Sequence, residues 1–385
     1  MGYNLDIKIL TEVGKHRMKT IFLTGGGTAG HVFPCLALAG KLREKGFSLM
    51  YVGEKTGVER GLAREAGIAF LSVTSGKLRR YKSFKNVTDV FKVGCGIIGS
   101  FALLIKHKPS AVFAKGGYVA LPVCVAAGLL RVPVVIHESD VTPGLANRLA
   151  APFCKAVCVS HRETLNSVKK NKGVFTGNPI RDALLTGDRQ TGLKLCGFNA
   201  NGKEAKGQRG KPVLLVMGGS SGAQKINSAV YEALDALLKD FFVIHICGLG
   251  GVSGEGGGAE NREGYARFGF AGDELRHLYA CADFFVTRAG ANSLNEVFAL
   301  KKPALVIPLG AGASRGDQAQ NAAHYEKKGL CAVLQNDALS GETLIRALEA
   351  LRENARDYVE NLRRRELPDA VSLIIGVIEK YAKTV

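Results

Sequence analysis

The stretch Ile21-Phe-Leu-Thr-Gly-Gly-Gly-Thr-Ala-Gly-His31 is an apolar run followed by a glycine-rich turn. Val213-Leu-Leu-Val-Met-Gly-Gly-Ser-Ser-Gly-Ala223 has the same plan in the second half of the chain. Consecutive apolar residues before a cluster of glycines are typical of a buried parallel strand that leads into a helix. The repeat therefore predicts two α/β domains in tandem, each opening on a strand, a turn and a helix.

Short apolar runs alternate with helix-length segments on both sides of this repeat. Segments 34–45 and 84–105, for example, have the length and pattern of helices. The alternation predicts parallel sheets that are covered by helices on both faces. The strand-like runs are residues 20–24, 49–52, 70–73, 111–114, 134–137 and 156–159 in the first half, and 213–217, 242–247, 283–287, 304–307 and 331–334 in the second.

The length of the chain also indicates two domains, because 385 residues with 46% hydrophobic composition exceed one ordinary core. The break is expected near Gly177-Asn-Pro-Ile-Arg181, where the proline interrupts regular structure. We predict an N-terminal extension at 1–17, a first Rossmann-like domain at 18–180 and a second at 181–365. Residues 366–385 are predicted to form a C-terminal helix that packs either on the second domain or back on the first.

The positive charge is concentrated in the first half of the chain. The net charge is +18, and residues 1–180 hold 26 Lys+Arg against 10 Asp+Glu. This asymmetry predicts an anionic partner for the first domain. No nucleic-acid motif is apparent, so we expect a membrane surface rather than nucleic acid.

The nine cysteines are scattered, which is typical of free thiols in a reducing compartment. Cys154, Cys158 and His161 lie close in sequence, but no fourth ligand follows at a suitable spacing, so no metal site is predicted.

Segment 75–108 combines basic and apolar side chains. We predict that residues 78–91 associate with anionic lipid, and that 98–105 form the buried face of an ordinary helix. The longest uncharged runs, 93–105 and 116–130, are shorter than the ~20 residues of a membrane span, so none is expected. The basic residues are Lys77, Arg79, Arg80, Lys82, Lys85 and Lys92, and the apolar ones are Leu78, Phe84, Val87, Phe91, Ile98 and Phe101.

The first glycine loop, Gly25 to Gly30, fits the Gly-x-Gly-x-x-Gly pattern of dinucleotide enzymes, with Glu54 at the position of a ribose ligand. A dehydrogenase usually needs only one such loop, whereas this chain has a second at 218–223. Two facing loops favour a ligand that is held between the domains. His31, next to the first loop, is the best-placed imidazole for catalysis.

Other polar motifs follow predicted strands, where ligands bind in open α/β sheets. Glu296 is expected either to bind a ribose diol or to act only as a charge near a helix N-terminus. Asp317 is either a ligand residue or an N-cap. The motifs are Lys115-Gly-Gly-Tyr118, His137-Glu-Ser-Asp140, Arg288-Ala-Gly-Ala-Asn-Ser-Leu-Asn-Glu296 and Gly316-Asp-Gln-Ala-Gln-Asn321.

Taken together, these motifs resemble the MurG family of peptidoglycan glycosyltransferases, from about residue 18 to the end. Each motif alone is weak evidence, but seven in the family's order are highly specific. They are GGGTAGHVFP at 25–34, KGGYVALP at 115–122, HES at 137–139, GNPIR at 177–181, GGSSGAQKIN at 218–227, RAGANSLNE at 288–296 and GDQAQNA at 316–322.

The resemblance implies a GT-B fold, in which two Rossmann-like domains with parallel sheets face each other across a cleft. The second domain would bind UDP-N-acetylglucosamine (UDP-GlcNAc), with Ser220 and Arg181 near the diphosphate, Glu296 on the ribose and the backbone near Ala271 reading uracil. Gln318 would contact the sugar. Asp140 stands where the family often has an amide that touches the sugar. Thr28, Ala29 and Gly30 would close over the donor, and Ala291, Asn292, Ser293, Leu294 and Asn295 complete the implied donor-binding set.

The reaction that the resemblance implies is an inverting transfer to the C4 hydroxyl of the muramyl sugar of a lipid-linked acceptor (lipid I), giving lipid II. His31 is the first choice of base and Asp140 the second. No cofactor or metal is expected, because the chain has no Asp-x-Asp motif. The implied location is peripheral, at the cytoplasmic face of the inner membrane. Alternatives are another GT-B glycolipid transferase, a UDP-GlcNAc epimerase, a dehydrogenase and a non-enzymatic binding module.

Overall fold

The computed structural model describes residues 19–76, 85–198, 210–218, 223–248, 262–310 and 316–382, with the backbone alone at 85–88. Its strands are β1 (Thr20–Thr24), β2 (Ser48–Gly53), β3 (Ala69–Ser72), β4 (Ala111–Ala114), β5 (Val134–Glu138), β6 (Ala156–Val159), β7 (Gly173–Phe175), β8 (Val213–Met217), β9 (Phe242–Ile246), β10 (Tyr265–Phe268), β11 (Phe284–Thr287), β12 (Ala304–Val306) and β13 (Ala332–Val333).

The α-helices are α1 (Ala29–Ala37), α2 (Ala39–Glu44), α3 (Val58–Glu65), α4 (Lys85–His107), α5 (Ala120–Leu129), α6 (Leu145–Ala150), α7 (Asp182–Leu185), α8 (Arg189–Leu195), α9 (Gln224–Asp240), α10 (Leu275–Cys281), α11 (Ala291–Ala299), α12 (Asp317–Lys327), α13 (Gly341–Glu353), α14 (Ala355–Arg364) and α15 (Ala370–Tyr381). Short 3₁₀ helices lie at Ala151–Phe153, Arg162–Ser167 and Asn336–Ala338.

The strands form two all-parallel sheets. The first lobe has the order β3-β2-β1-β4-β5-β6-β7, and the second has β10-β9-β8-β11-β12-β13. In each sheet the order reverses beside the strand that carries the glycine-rich turn, which is where open α/β sheets bind ligands. The predicted fold, two Rossmann-like domains, is confirmed.

The predicted strands appear because both faces of each sheet are buried. Ile21 and Leu23 point into one core of the first lobe, and Phe22 between them points into the other. Sequence reasoning missed two strands, Gly173–Phe175 and Tyr265–Phe268. Both lie at sheet edges, where only one neighbour pairs and the apolar pattern is short.

The chain crosses between the lobes twice. It leaves the first lobe after β7 and returns to it in α15, where Ala370, Ile374, Ile375 and Ile378 are buried against the same core as Ile21. Asp369 caps this helix by accepting a hydrogen bond from the backbone N–H of Ser372 at 3.0 Å. The apolar residues of α15 recur every three to five positions, so one helix face closes the core of the other lobe.

Helix α4 corrects one expectation from the sequence. Residues 98–105 form a buried face only in part: Ser100 and Leu104 are buried and Phe101 packs against the core, whereas Ile98 is 72% and Ile105 59% exposed. Gly96 lies against Pro122 of α5, which shows that the inward face of α4 is partly a small-residue face. The apolar side chains of α4 are therefore divided: Phe101 and Leu104 pack against the core, and Ile98 and Ile105 face outward.

The same helix is long enough to cross a membrane. Its segment Asp89–His107 has a mean hydropathy of 1.5, and only 17% of that segment is buried. By length and composition this segment could span a membrane, and no other helix in the described part of the chain could. The expectation that the chain has no segment long and apolar enough to span was therefore wrong. The basic residues 77–82 lie outside the described residues, as do the side chains of Lys85 and Val87.

Candidate active site

A cavity of 450 Å³ lies between the lobes, at the carboxyl ends of the central strands. The first lobe contributes the start of α1, and the second lobe contributes residues from four strand ends and three helices. The lining includes Thr28, Ala29, Gly30, Phe33, Arg181, Met217, Gly218, Phe270, Ala271, Tyr279, Arg288, Asn292, Ser293, Glu296 and Gln318. Nine of the residues that the resemblance implies are thereby brought together in one cleft.

A buried carboxylate, which the sequence analysis did not identify, supports the first glycine loop. Glu59 is fully buried, and its two oxygens accept hydrogen bonds from the backbone N–H groups of Glu54 at 2.9 Å and Gly27 at 3.5 Å. Gly27 has a φ of 85°, and a Cβ there would lie 2.4 Å from the Tyr118 ring. Glu54 accepts a hydrogen bond from the Tyr118 hydroxyl at 3.0 Å, which fixes the Tyr118 side chain beside the loop.

Helix α1 begins beside the cleft with its N-terminal N–H groups near the cavity. Thr28 is the N-cap residue, and its hydroxyl is 2.9 Å from Nδ1 of His31. The carbonyl of Gly30 accepts a hydrogen bond from Asn292 of the second lobe at 2.8 Å. The free backbone donors and the positive dipole end suit a phosphate ligand.

Arg181 connects the linker with both lobes. Its Nη2 lies 3.2 Å from Oε1 of Glu296, and its guanidinium stacks 4.0 Å above the ring of Phe33. The Nε of Arg181 is buried without a hydrogen-bond partner. Burial raises the pKa of Glu296, and the nearby Arg181 opposes that rise. The pair places one cation and one hydrogen-bond acceptor at the same wall of the cleft.

Asp140 lies at the end of β5 and contacts the second lobe. Its Oδ1 accepts a hydrogen bond from Nδ2 of Asn321 at 2.8 Å. Burial and the neighbouring carboxylates Glu138 and Asp317 raise the pKa of Asp140 to about 7, although Asn321 and Lys115 oppose the rise. Lys115 is itself buried, which lowers its pKa to about 8. The lobes thus meet at a carboxyl group that is partly protonated near neutral pH.

We expect Asp140→Asn to make the protein more stable at pH 8 and to change little at pH 4. The folded state holds the proton of Asp140 up to about pH 7, whereas the ordinary value is 3.8, so wild-type stability falls as the pH rises through this window. Asparagine keeps the acceptor for Asn321 and has no charge to bury. Melting temperatures of both proteins from pH 4 to 8 measure the difference; a difference that stays constant with pH would contradict this reasoning.

Several implied residues do not line the cavity. His31 and Asp140 flank it, Leu294 and Ala291 are buried in the second lobe, and the loop with Ser220 lies outside the described residues. Asn295 is buried, donating to the hydroxyl of Tyr325 at 3.2 Å and accepting from Arg365 at 2.8 Å. The Asn295 side chain therefore stabilises the segment around Arg365, through which the chain returns to the first lobe.

Other lining residues carried no sequence signal that sets them apart. Phe33, Met217 and Tyr279 belong to ordinary apolar patterns, and only the fold brings them to the cleft. Phe270 is 57% exposed beside Ala271, where it offers an aromatic face. Gln318 accepts a hydrogen bond from the N–H of Leu309 at 3.1 Å, which leaves its own amide N–H group available for a ligand.

Removing the Asn292 side chain is expected to weaken contact between the lobes. Asn292→Ala deletes the hydrogen bond to Gly30, a neutral interaction of about 1 kcal/mol, so KM for the nucleotide donor should rise about fivefold with a small change in kcat. Steady-state kinetics measure this, and Arg346→Ala, at an exposed site on α13 away from the cleft, is the control. An unchanged KM would show that this contact does not help to hold the donor.

Two Rossmann-like lobes that face each other across a nucleotide-type cleft define the GT-B class, and both lobes match models of one transferase family. Residues 21–159 match the glycosyltransferase family 28 N-terminal domain, and residues 213–374 match its C-terminal domain. The crystal structure of Acinetobacter baumannii MurG has the same fold, with a TM-score of 0.68 and 24% identity, over 94% of this chain and 99% of that one. UDP-GlcNAc 2-epimerase from Neisseria meningitidis also shares the fold, with a TM-score of 0.64 and 16% identity over 94% and 100%.

Curated relatives are similar over nearly their whole length. The UDP-N-acetylglucosamine--N-acetylmuramyl-(pentapeptide) pyrophosphoryl-undecaprenol N-acetylglucosamine transferase of Clostridium tetani is 46% identical over 94% of this chain and 98% of its own. The transferase of the same name from Lachnoclostridium phytofermentans is 47% identical over 94% and 99%. The chain belongs to glycosyltransferase family 28 and, within it, to the family of these N-acetylglucosamine transferases.

Proposed function

We propose that this protein transfers N-acetylglucosamine from UDP-GlcNAc to the C4 hydroxyl of the muramyl sugar of undecaprenyl-pyrophosphoryl-muramyl-pentapeptide, which is lipid I. The observation that carries the proposal is the interlobe cavity, in which Arg181 and Glu296 lie opposite the N-terminus of α1. Relatives named for this reaction match the chain across both lobes. The product would be lipid II, the lipid-linked disaccharide used in peptidoglycan synthesis.

The donor is proposed to bind with its diphosphate between the two lobes. Negative charge grows on the diphosphate as UDP leaves, and Arg181 with the N–H groups at the start of α1 would stabilise that charge. Glu296 would accept hydrogen bonds from the ribose hydroxyls, sharing its carboxylate with Arg181. The sugar would then lie towards Gln318 and the Asp140–Asn321 contact.

His31 is proposed as the general base that takes the proton of the attacking hydroxyl. Its Nδ1 lies 2.9 Å from the hydroxyl of Thr28, which can accept a hydrogen bond from Nδ1–H and so favour the tautomer in which Nε2 is the basic nitrogen. Asp140 is the second candidate, because a pKa of about 7 also suits proton transfer. The family resemblance favours His31, since related proteins often carry at position 140 an amide that has no basic oxygen.

The lipid acceptor requires access to a membrane, and α4 offers an apolar face for it. Val90, Phe91, Ile98 and Ile105 are 59–73% exposed along one helix that follows the basic segment 77–85. Exposed apolar side chains beside lysines and arginines are typical of peripheral binding to anionic lipid. We propose that the first lobe docks at the cytoplasmic face of the inner membrane through this helix.

Ile98→Glu is expected to reduce binding to anionic vesicles about tenfold or more, because a carboxylate would replace an apolar contact that is 72% exposed. Leu195→Glu, at a 48% exposed site of the second lobe, is the matched control and should bind normally. Charge reversal of Arg79, Arg80 and Lys82 should weaken binding and reduce its salt dependence. Vesicle co-sedimentation measures the binding of all three variants. Undiminished binding of Ile98→Glu would show that α4 is not part of the docking surface.

Incubation with radiolabelled UDP-GlcNAc, with and without lipid I, tests the proposed reaction. Label should move into the lipid fraction only when lipid I is present. Consumption of the donor without acceptor would instead indicate the epimerase chemistry of proteins that share this fold, and transfer to a different glycolipid would indicate another transferase of the class. Either result would contradict the proposed reaction.

A further inference from the structure

A second cavity, of 620 Å³, lies beside the interlobe connection. Both crossings of the chain line it, through residues 177–180 and 365–368, together with α12 of the second lobe. Its polar side chains take no part in the proposed transfer. Among them, three metal-type ligands from the two lobes come together: His161, Glu163 and His324.

The three side chains have the geometry of a site for one ion. Their ligand atoms all lie within 4.8 Å of one another. Zinc-type ions bind imidazole nitrogen and carboxylate oxygen at about 2.0–2.2 Å, so small side-chain rotations would bring all three within bonding distance. His161 comes directly after β6, Glu163 lies in the 3₁₀ helix Arg162–Ser167, and His324 lies on α12. The sequence separates the two histidines by more than 160 positions, which is why no ligand spacing was visible in it.

One ring nitrogen of the cluster lacks a partner in the structure. Nε2 of His324 is buried and makes no hydrogen bond, although the rings of His324 and His161 lie 4.9 Å apart. A buried polar atom without a partner carries a free-energy cost that a bound ion would remove.

The Tyr325 hydroxyl orients one of the two imidazoles. Nε2 of His161 lies 3.4 Å from the hydroxyl of Tyr325, and that hydroxyl also accepts a hydrogen bond from the buried amide of Asn295. Metal-bound histidines usually have their other ring nitrogen fixed in this way. The orientation of His161 is therefore set by residues that already pack the second lobe.

Two cations oppose metal binding. Nζ of Lys328 lies 3.1 Å from Oε1 of Glu163, and the guanidinium of Arg365 lines the same cavity, where its charge repels a cation. A bound ion must displace the ammonium group of Lys328 from the carboxylate of Glu163. The Lys328 side chain is half-exposed, so it can turn towards solvent. This competition predicts a site of modest affinity that becomes tighter when the lysine is removed.

We propose that His161, Glu163 and His324 form a binding site for a divalent transition-metal ion of the zinc type, which joins the two lobes beside the chain crossings. Because two ligands come from the first lobe and one from the second, a bound ion favours the lobe arrangement in which all three meet. The ion has no role in the chemical step, since its ligands do not line the donor cleft.

Calorimetric titration of the full-length protein with Zn²⁺ tests this site, in a Cys95→Ser background that removes the exposed thiol of the described residues. One equivalent should bind, and His324→Gln and Glu163→Gln should each weaken it at least about tenfold. Glu326→Gln, an exposed carboxylate on the same helix, is the control and should bind normally. Lys328→Met should tighten binding several-fold, a gain that misfolding cannot mimic.

Absorption of the Co²⁺-substituted protein identifies the ligands, because nitrogen and oxygen ligation gives d–d bands without a thiolate charge-transfer band. The proposal is overturned if the wild-type protein binds no Zn²⁺, if His324→Gln or Glu163→Gln binds as tightly as wild type, if Lys328→Met leaves the affinity unchanged, or if the Co²⁺ spectrum shows thiolate ligation. UDP-GlcNAc binding by His324→Gln should remain normal, which separates this test from that of the transfer reaction.

Discussion

His31→Ala is expected to lower kcat by about 10²–10⁴-fold, the range for loss of a general base. The imidazole lies beside the donor cleft, and the Thr28 hydroxyl at 2.9 Å orients it. The change should fall on kcat more than on KM, because the base acts in the transition state and not in binding the donor. Steady-state transfer kinetics with lipid I and UDP-GlcNAc measure both.

The matched comparison for His31 is Asp140→Asn, which we expect to retain kcat within about tenfold. Asparagine preserves the acceptor for the 2.8 Å hydrogen bond from Asn321, so only the charge of the carboxylate is lost. Near-normal kcat of His31→Ala would exclude it as the base. If Asp140→Asn then lost activity in its place, the roles of the two residues would be reversed.

Arg181→Ala is expected to lower kcat/KM by about 10²–10³-fold, as removal of one preorganised donor to a developing negative charge commonly does. The guanidinium is held by Phe33 at 4.0 Å and by Glu296 at 3.2 Å, so it is positioned before the donor arrives. Its removal also leaves the carboxylate of Glu296 buried without its cation. Affinity for UDP should fall as well, which titration with UDP alone would show.

Two controls define the effect of Arg181. Arg181→Lys should recover only part of the activity, because an ammonium group lacks the planar guanidinium that stacks on Phe33. Arg346→Ala removes an exposed arginine on α13 and should be neutral. An Arg181→Ala protein with kcat/KM within threefold of wild type would mean that the leaving diphosphate does not lie against this side chain.

The sequence predicted the fold well because its central strands are buried on both faces. Ile21, Phe22 and Leu23 all point into cores, so the run is apolar throughout and cannot be mistaken for a surface segment. The glycine loops marked the strand ends, and Gly27 shows why glycine is needed there, since a side chain would collide with Tyr118. The edge strands β7 and β10 have neither a long apolar run nor a glycine loop at the end, and they were missed.

The features that sequence could not predict are contacts between distant residues. Arg181 and Glu296 are 115 positions apart, and Asp140 and Asn321 are 181 apart, so no local pattern pairs them. Helix α4 shows a different limit. An apolar pattern indicates that side chains will be buried, but not which of them meet the core, and in this helix Phe101 packs inward while Ile98 faces outward.

Calorimetric titration of the wild-type protein and of Glu296→Ala with UDP-GlcNAc, in the presence of EDTA, is the most direct test of the donor site between the lobes. We predict one equivalent of UDP-GlcNAc bound to the wild type, and affinity reduced by about 10²-fold when the carboxylate that we propose as the ribose ligand is removed. Absence of binding to the wild type, or equal affinity in Glu296→Ala, would contradict the placement of the donor in this cleft.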